Sequence, residues 1–572
     1  MSQRKCSPKK ATVSGKNLVI VGAGLSGLTA ALYARAAGYD VTVLERATFV
    51  GGRCATEDVS VVKHDGEELT AAFDTGATVW TMPSLLDDAL GAVGLSVADV
   101  DPSFEVAAIS PSYHARFADS SSFNVFKDEA QMEDELRRFA TESAAEKQTG
   151  AAVPTENGAQ SGAMPLPAGD ELVTNYRKLR AWLQQLFDHS FTHFMSESFD
   201  APWDLIRSTD SIRDLTALVR LGAFGKLEPK VMSFLKDPRL ARVFSFQALY
   251  AGVAPRKALA VYGCISHMDT TMGVYYPHSK RFGRGMGTIA KVLAAALERA
   301  GGAIRFGADV RGVQLSADGS KVLGLSLHDG EFIAADAMIA TVDLPVIEGW
   351  LEEAGAKPTT RVVPLRYSPS AVVMHGLVPA SVSENWPTRH HTISFGEKWN
   401  ETFAEISAPR GGRLMSDPSL LVTRPAVSAP ERIVEAADGT RWEPVSVLAP
   451  CPNLESAPLD WATLTGPYVA EVLGELASRG WTGIDCEYVV GRVDTPATWA
   501  DQDMGAGSPF GLAHLFRQTG PFRPRNFAGG SGLAGRMPSN LVLAGSTTVP
   551  GVGVPTVMIS GRLAAERLGT AK

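Results

Sequence analysis

Three glycines stand at the spacing that lets a polypeptide backbone touch a phosphate. Val21-Gly22-Ala23-Gly24-Leu25-Ser26-Gly27 reads G-x-G-x-x-G, between the apolar run Asn17-Leu-Val-Ile-Val21 and an Ala/Leu-rich stretch, Leu28 to Ala37, closed by Gly38. A strand, a tight turn and a helix in that order aim unpaired helix N–H groups and their partial positive charge at an anion. Gly22 permits the turn, Gly24 the approach to a pyrophosphate, and Gly27 the packing of helix on strand. A second strand, Val41 to Leu44, ends at Glu45, whose carboxylate suits ribose hydroxyls and repels a 2′-phosphate. Glycines alone would also make a plain turn. With strand, helix and acid in place, the segment reads as a dinucleotide site that includes Ala23 and Ser26.

Further glycine turns favour FAD over NAD. Glu45-Arg46 leads to Gly51-Gly52-Arg53, a second glycine turn ending in a guanidinium, which suits a longer cofactor needing more backbone donors. Phe73-Asp74-Thr75-Gly76-Ala77 is another turn where backbone could approach the isoalloxazine. At the far end, Leu543-Ala-Gly545-Ser-Thr547 and Gly551-Val-Gly553-Val554-Pro555 precede a helix whose dipole would favour negative charge on a reduced flavin. The expected cofactor set is Gly22, Ala23, Gly24, Ser26, Gly27, Glu45, Arg46, Gly52, Arg53, Val310, Gly545, Gly553 and Val554. His390-His391 has no Asp, Glu or His at ligand spacing, so no metal site is expected. Ser and Cys nucleophile motifs and a P-loop are absent.

The elements that must hold these residues form an α/β pattern. A helix over 287–300, a strand at 303–306, a hairpin from runs at 310–315 and 322–327, and a strand at Ala337 to Thr341 return the chain to the first βαβ unit. The strand Asn540 to Ala544 and a helix over 555–568 close it. The predicted fold is a Rossmann-like, glutathione-reductase-like FAD domain (17–110, 285–345, 536–572). Into it is inserted a mixed α+β substrate domain (111–284, 346–535) with a helical membrane-facing region. Residues 1–16 read as a flexible basic tail, and 141–170, rich in Ala, Thr, Glu, Gly, Pro and Ser, as a mobile insertion. A helix is expected over 171–196. Residues 215–235 combine Leu215, Leu218, Val219, Phe224 and Val231 with Arg220, Lys226 and Lys230, a pattern that fits an interfacial helix and a core-packed helix alike. Tyr275-Tyr276-Pro277-His278 reads as a tunnel wall or an interdomain strand.

A chain of 572 residues has room for two or three domains. Its net charge of -8 gives no support to nucleic-acid binding. The five cysteines, Cys6, Cys54, Cys264, Cys451 and Cys486, are scattered and form no C-x-x-C pair, which argues against a disulfide framework. No apolar run approaches the roughly 18 residues needed to span a bilayer.

Taken together these segments resemble the bacterial-type phytoene desaturase family of the flavin amine-oxidase superfamily, from about Asn17 to Leu568. The similarity rests most on Phe244 to Gly252, His391 to Gly396, Val447 to Pro452, Gly520-Pro-Phe-Arg-Pro-Arg-Asn526 and Val549 to Pro555 with Ser560-Gly561-Arg562. Two departures stand out: Arg284-Gly285 replaces the family's glycine pair before Met286, and Thr548 stands where His is frequent.

The resemblance implies a carotenoid desaturase. It would remove a hydride to FAD and a proton from adjacent carbons of a C40 isoprenoid such as phytoene, with a quinone or dioxygen as final acceptor. Such a substrate stays in lipid, so a peripheral protein at a membrane surface is expected, and the scattered cysteines point to its reducing cytoplasmic face. Ser211-Ile-Arg-Asp214 resembles a family segment considered functional, making Asp214 the catalytic candidate. Position 217 is Ala, however, and Asp204-Leu-Ile-Arg207 competes for the alignment; a helix cap or surface ion pair explains either Asp. The alternatives are a carotenoid isomerase, saturase or oxidase, an amine or protoporphyrinogen-type oxidase, or a flavin-free escort of prenylated proteins.

Overall fold

The computed structural model describes residues 15–148, 167–199, 201–357, 361, 364–526 and 537–571. Its organising layer is a five-stranded parallel sheet in the order Ala303–Arg305, Asp40–Leu44, Asn17–Val21, Ala337–Ala340, Leu541–Leu543. Short Val/Ile/Leu runs form such strands because both faces are buried. Leu18 and Ile20 join one core, under the helices Leu25–Ala36, Gly287–Arg299 and Val554–Leu568. Val19 and Val21 join the other, under a three-stranded antiparallel sheet, Val310–Leu315, Val322–Leu327 and Phe332–Ala334. The strand order, with the chain's first segment at the centre and its last at the edge, is that of a doubly wound nucleotide fold.

An eight-stranded mixed sheet forms the second layer. Its path runs Val489–Asp494, Ser370–Pro379, Arg441–Cys451, Leu420–Thr423, His391–Ser394, Tyr113–Arg116, Ser122–Val125, with Val434–Glu435 paired to Arg441–Cys451. Alternation divides its faces. Val372, Met374, Val445 and Val447 pack under the helix Trp461–Ser478. Ala371, Val373, His375, Ser446 and Leu448 face the opposite way, into a cavity. Helices between Glu129 and His267 close the remaining side.

Several expectations need correcting. Residues 215–235 are not one helix. Gly222, at φ 74°, ends the helix Thr209–Leu221 in a left-handed cap, its N–H on the Val219 carbonyl and that of Ala223 on the Leu218 carbonyl. A separate helix, Leu227–Leu235, comes next, with Leu227, Val231 and Leu235 fully buried. The apolar spacing runs on past Gly222 and hides the break. The helix expected over 171–196 spans Gly169–Ser190 and passes into a π-helical turn, Phe191–Met195. Of the insertion expected at 141–170, residues 141–148 are the last turns of the helix Glu129–Gln148, as their Ala and Glu content favours. Gly169 and Asp170 begin the next helix, and 149–166 lie outside the described residues. So do residues 1–14 of the tail. Tyr275–Ser279 is a strand paired with Glu105–Ala108, and neither Tyr275 nor Tyr276 lines the cavity.

The helices of the two termini touch backbone to backbone, because a Cβ on Gly561 would fall on the Ser26 carbonyl. Gly561→Val is expected to lower stability by about 1–3 kcal/mol through overpacking. Gly474→Ala, at an exposed helical position with open space beside it, is expected to raise stability by about 0.5–1 kcal/mol. Denaturant titration of the two variants checks both signs.

Candidate active site

Both ends of the chain line one cavity of about 1140 Å³. At one end its wall is backbone. Gly22, at φ 101°, gives its N–H to the Leu44 carbonyl, and a Cβ there would stand 2.5 Å from Thr341 Oγ1. Gly24 caps the helix Leu25–Ala36 without a side-chain hydrogen bond and pairs with Gly51 of the second glycine turn. Gly51 and Gly52 both have positive φ. Gly76 lies so near Arg53 that a Cβ would overlap the Arg53 carbonyl, which joins the third turn to the second. The result is a cradle of peptide groups, open where side chains would otherwise stand, with helix N–H groups free of any side-chain cap. That is the surface a pyrophosphate needs, and it fits FAD.

Glu45 is buried at the cradle's edge; its carboxylate accepts from the N–H of Ala23 at 2.7 Å and of Ala47 at 2.9 Å. Those contacts fix the carboxylate and leave acceptor capacity for ribose hydroxyls, since each carboxylate offers about four lone-pair sites. Arg53 Nη2 bridges Asp343 Oδ1 at 3.0 Å and Ser546 Oγ at 2.7 Å, joining the second turn to the C-terminal loop. Arg46 lies outward, on Asp503 and the Gln502 carbonyl. Of the expected cofactor residues, Gly22, Gly24, Ser26, Glu45, Arg46, Gly52, Arg53, Val310, Gly545, Gly553 and Val554 line the cavity. Ala23 and Gly27 do not. Ala23 gives its N–H to Glu45, and Gly27 packs on the Gly22 carbonyl, so both act behind the wall.

The C-terminal loop is held by a buried guanidinium. Arg523 donates to the carbonyls of Ser546 at 2.6 Å, Thr548 at 2.9 Å and Leu512 at 3.2 Å. Its burial pulls the pKa down to about 10. Asn526 Nδ2 reaches the carbonyls of Leu543 and Val549, and Ser560 Oγ. The segment 520–526 therefore works as a clamp on the loop carrying Gly545, Gly551 and Gly553. The two departures from the family pattern are accommodated. Arg284 turns outward to Glu431 while Gly285 supplies the tight position beside Asp74 and Arg432. Thr548 donates to the Gly545 carbonyl at 3.1 Å.

Away from the cradle the wall is largely apolar, with Leu218, Leu259, Val261, Ile265, Val373 and Leu448 among its residues. Asp214 is not on it. Its carboxylate accepts from His189 Nδ1 at 3.0 Å, with Arg213 at 3.4 Å and His193 at 3.6 Å. Burial raises its pKa, but hydrogen bonds from His189 and Arg213 outweigh burial and leave it below the ordinary value. The structure thus places Asp214 in an ion-pair cluster turned away from the chamber, which corrects its assignment as the catalytic group. Asp204 caps its own turn through the Ala201 N–H and also lies off the cavity.

A different acid lines the chamber. Asp269 is buried and accepts from the Tyr113 hydroxyl at 2.9 Å, and burial pushes its pKa up to about 7. No sequence motif marks it, since only tertiary contacts remove it from water. Among the described residues no group of His, Cys, Asp and Glu is arranged to hold a metal.

A backbone cradle clamped by the chain's own C-terminal loop, opening on an apolar chamber, defines a flavoprotein oxidoreductase. Residues 25–407 match the family of flavin containing amine oxidoreductases. The chain is 41% identical over 562 residues to a phytoene dehydrogenase of Streptomyces griseus, across 97% of this chain and 96% of that protein. It is 29% identical over 567 residues to a zeta-carotene-forming phytoene desaturase of Myxococcus xanthus, across 98% and 95%. An oxidoreductase structure from Methanosarcina mazei shares the fold, with TM-score 0.51 and 16% identity over 96% of this chain and all of that one. The chain belongs to the flavin containing amine oxidoreductases, in the group that holds these phytoene dehydrogenases and desaturases, and its cofactor is FAD.

Glu45→Ala removes a carboxylate that would accept from ribose hydroxyls and unpairs two backbone N–H groups. It is expected to weaken FAD retention by about 1–3 kcal/mol. Flavin absorbance per polypeptide after gel filtration checks this, and occupancy equal to the parent protein's would refute the role.

Proposed function

We propose that this chain is an FAD-dependent carotenoid desaturase of the phytoene type, converting adjacent C–H groups of a C40 isoprenoid into a double bond. One observation carries the reading: beside the turn Asp74 to Thr78 the cradle opens directly into a chamber whose wall is largely apolar. The relatives' names point the same way. Bound FAD supplies a two-electron acceptor. The protein supplies everything else by shape. The sheet face carrying Ala371, Val373 and Leu448 and the helical wall carrying Leu218 and Ile265 hold a polyene in one lane and exclude water. Histidines on the wall stay uncharged, since burial drives His375 down to about 3 and His391 well below the ordinary value. Within this reading, 17–110, 285–345 and 536–572 form the nucleotide unit, and 111–284 with 346–535 the substrate unit.

The reading extends to a peripheral site on a membrane, at its cytoplasmic face, where the substrate dissolves. No described helix is long and apolar enough to cross a bilayer. An apolar rim stands at the cavity instead. Trp203 (72% exposed), Ile206, Phe516 and Phe522 are exposed. The turn Pro202–Ile206 packs on Gly520–Phe522, and Leu205, Phe516 and Phe522 also line the cavity. Exposed Arg517 adjoins Phe516 in the chain, as suits an anionic lipid surface. A quinone or dioxygen reoxidises the flavin.

Expression in cells that accumulate phytoene should yield more conjugated carotenes on pigment chromatography; unaltered phytoene would sink the desaturase reading. Replacing Trp203 and Ile206 together by Glu should reduce flotation with anionic liposomes about tenfold or more, because each buried side chain contributes roughly 1.5–3 kcal/mol. Parent-like flotation would remove this rim from the membrane.

A further inference from the structure

Among the described residues five buried carboxylates line the cavity, and four are neutralised where they stand. Glu45 holds two backbone N–H groups, Asp74 pairs with Arg432, Asp343 with Arg53 and Asp494 with Arg492. Asp269 is the exception. Among the described residues it forms no ion pair, and its donor is the Tyr113 hydroxyl on Oδ2, which leaves Oδ1 for the cavity. An unpaired buried carboxyl is unfavourable by several kcal/mol when ionised, so a fold does not need one for stability. Asp269 sits in a π-helical turn, Met268–Met272, a local geometry frequent at functional sites.

Its surroundings lead to the third glycine turn of the cradle. Tyr113 stacks on His391 with ring centres 5.9 Å apart, and His391 Nε2 lies 2.6 Å from Thr78 Oγ1, in the turn just beyond Gly76-Ala77. Tyr250 faces the same pair. Among the described residues Tyr113, Tyr250 and His391 are thus the titratable groups that these contacts bring to Asp269. Burial keeps both phenols protonated and the imidazole neutral, so no neighbouring charge stabilises the carboxylate.

We propose that Asp269 is the catalytic base of the desaturation, taking the proton from substrate carbon on Oδ1, with Tyr113 as the residue that positions it. This rests on the desaturase reading. In the balanced step, one C–H bond gives up its hydrogen with both electrons to the two-electron oxidant FAD. The adjacent C–H bond gives its proton to Asp269, and the electrons left behind form the new C=C bond. The protonated carboxyl then returns the proton toward solvent before the next cycle. A carboxylate stripped of cations and water is a stronger base than an ordinary one, as removal of an allylic proton requires. Because its pKa is raised to about 7, the competent ionised form accumulates as pH rises through 7.

The test uses full-length protein with phytoene in liposomes. Anaerobic flavin reduction in single turnover should rise with pH through about 7 in the parent. In Asp269→Asn it should be slowed about 100-fold or more and lose that pH dependence, with FAD occupancy and carotenoid binding unchanged. Asp269→Glu should recover most of the rate. Independently of turnover, infrared titration of the flavin-free protein should show a carboxyl band disappearing near pH 7 in the parent and missing in Asp269→Asn. An active parent with an equally active Asp269→Asn variant of the same pH profile overturns the base assignment alone. So does a parent carboxyl band that is already ionised at pH 5. A folded, FAD-loaded parent that is never reduced by a C40 polyene overturns the desaturase reading, and this step with it.

Discussion

The structure depends on peptide backbones approaching one another more closely than any side chain allows. Gly27 lies on the Gly22 carbonyl, Gly76 on that of Arg53, Gly561 on that of Ser26, and Gly287 stands where a Cβ would meet the Thr56 N–H at 2.5 Å. Two of these crossings are local, and the other two join segments more than 200 residues apart in the chain. Each gives up the chain stiffness a Cβ would provide, and each yields a wall made of N–H and C=O groups. A cofactor bearing two phosphates finds there what water would otherwise offer it. The first and the last described strands lie in one parallel sheet.

Charge is distributed by the same logic. Where the cavity meets the cradle, cations and anions are locked together: Arg53 on Asp343, Arg432 on Asp74 with the Tyr276 hydroxyl at 2.6 Å, Arg492 on Asp494. Arg523 is neutralised by carbonyl oxygens and uses its donors to fix the C-terminal loop. Beyond that belt the chamber wall is largely apolar, with Asp269 among its lining residues. Buried ion pairs add little net stability, because desolvation offsets attraction; their value here is geometric. They tie the glycine turns to the elements beside them.

The nucleotide end is legible in the sequence, and physics explains why. Backbone recognition requires glycine at fixed offsets from strand and helix ends, so Gly22, Gly24 and Gly27 announce themselves, as do Gly545 and Gly553. Strands buried on both faces read as unbroken apolar runs, and the hairpin 310–315 with 322–327 has the observed bounds. The helical wall is not legible in the same way, because apolar periodicity says nothing about a left-handed cap at Gly222. Asp214 stands out by similarity of a short segment, whereas the side chain's direction is set by His189 and Arg213. Ala23 and Gly27 belong to the motif but act behind the surface, a distinction that spacing cannot draw.

The two ends of the cavity therefore carry information of different kinds. One end recognises a fixed chemical group with fixed backbone positions, and such positions appear as motifs. The other recognises length and curvature of a hydrocarbon, which many combinations of Leu, Ile, Val and Phe satisfy equally well. A chamber of that type can change substrate or product through a few substitutions while its cradle stays the same. A group that performs chemistry in the apolar end must then be found by contrast with its surroundings. Among paired carboxylates and neutral histidines, the acid that no cation accompanies stands out only once the chain is folded. Its sequence neighbours, His267-Met268 and Thr270-Thr271, give no hint of it.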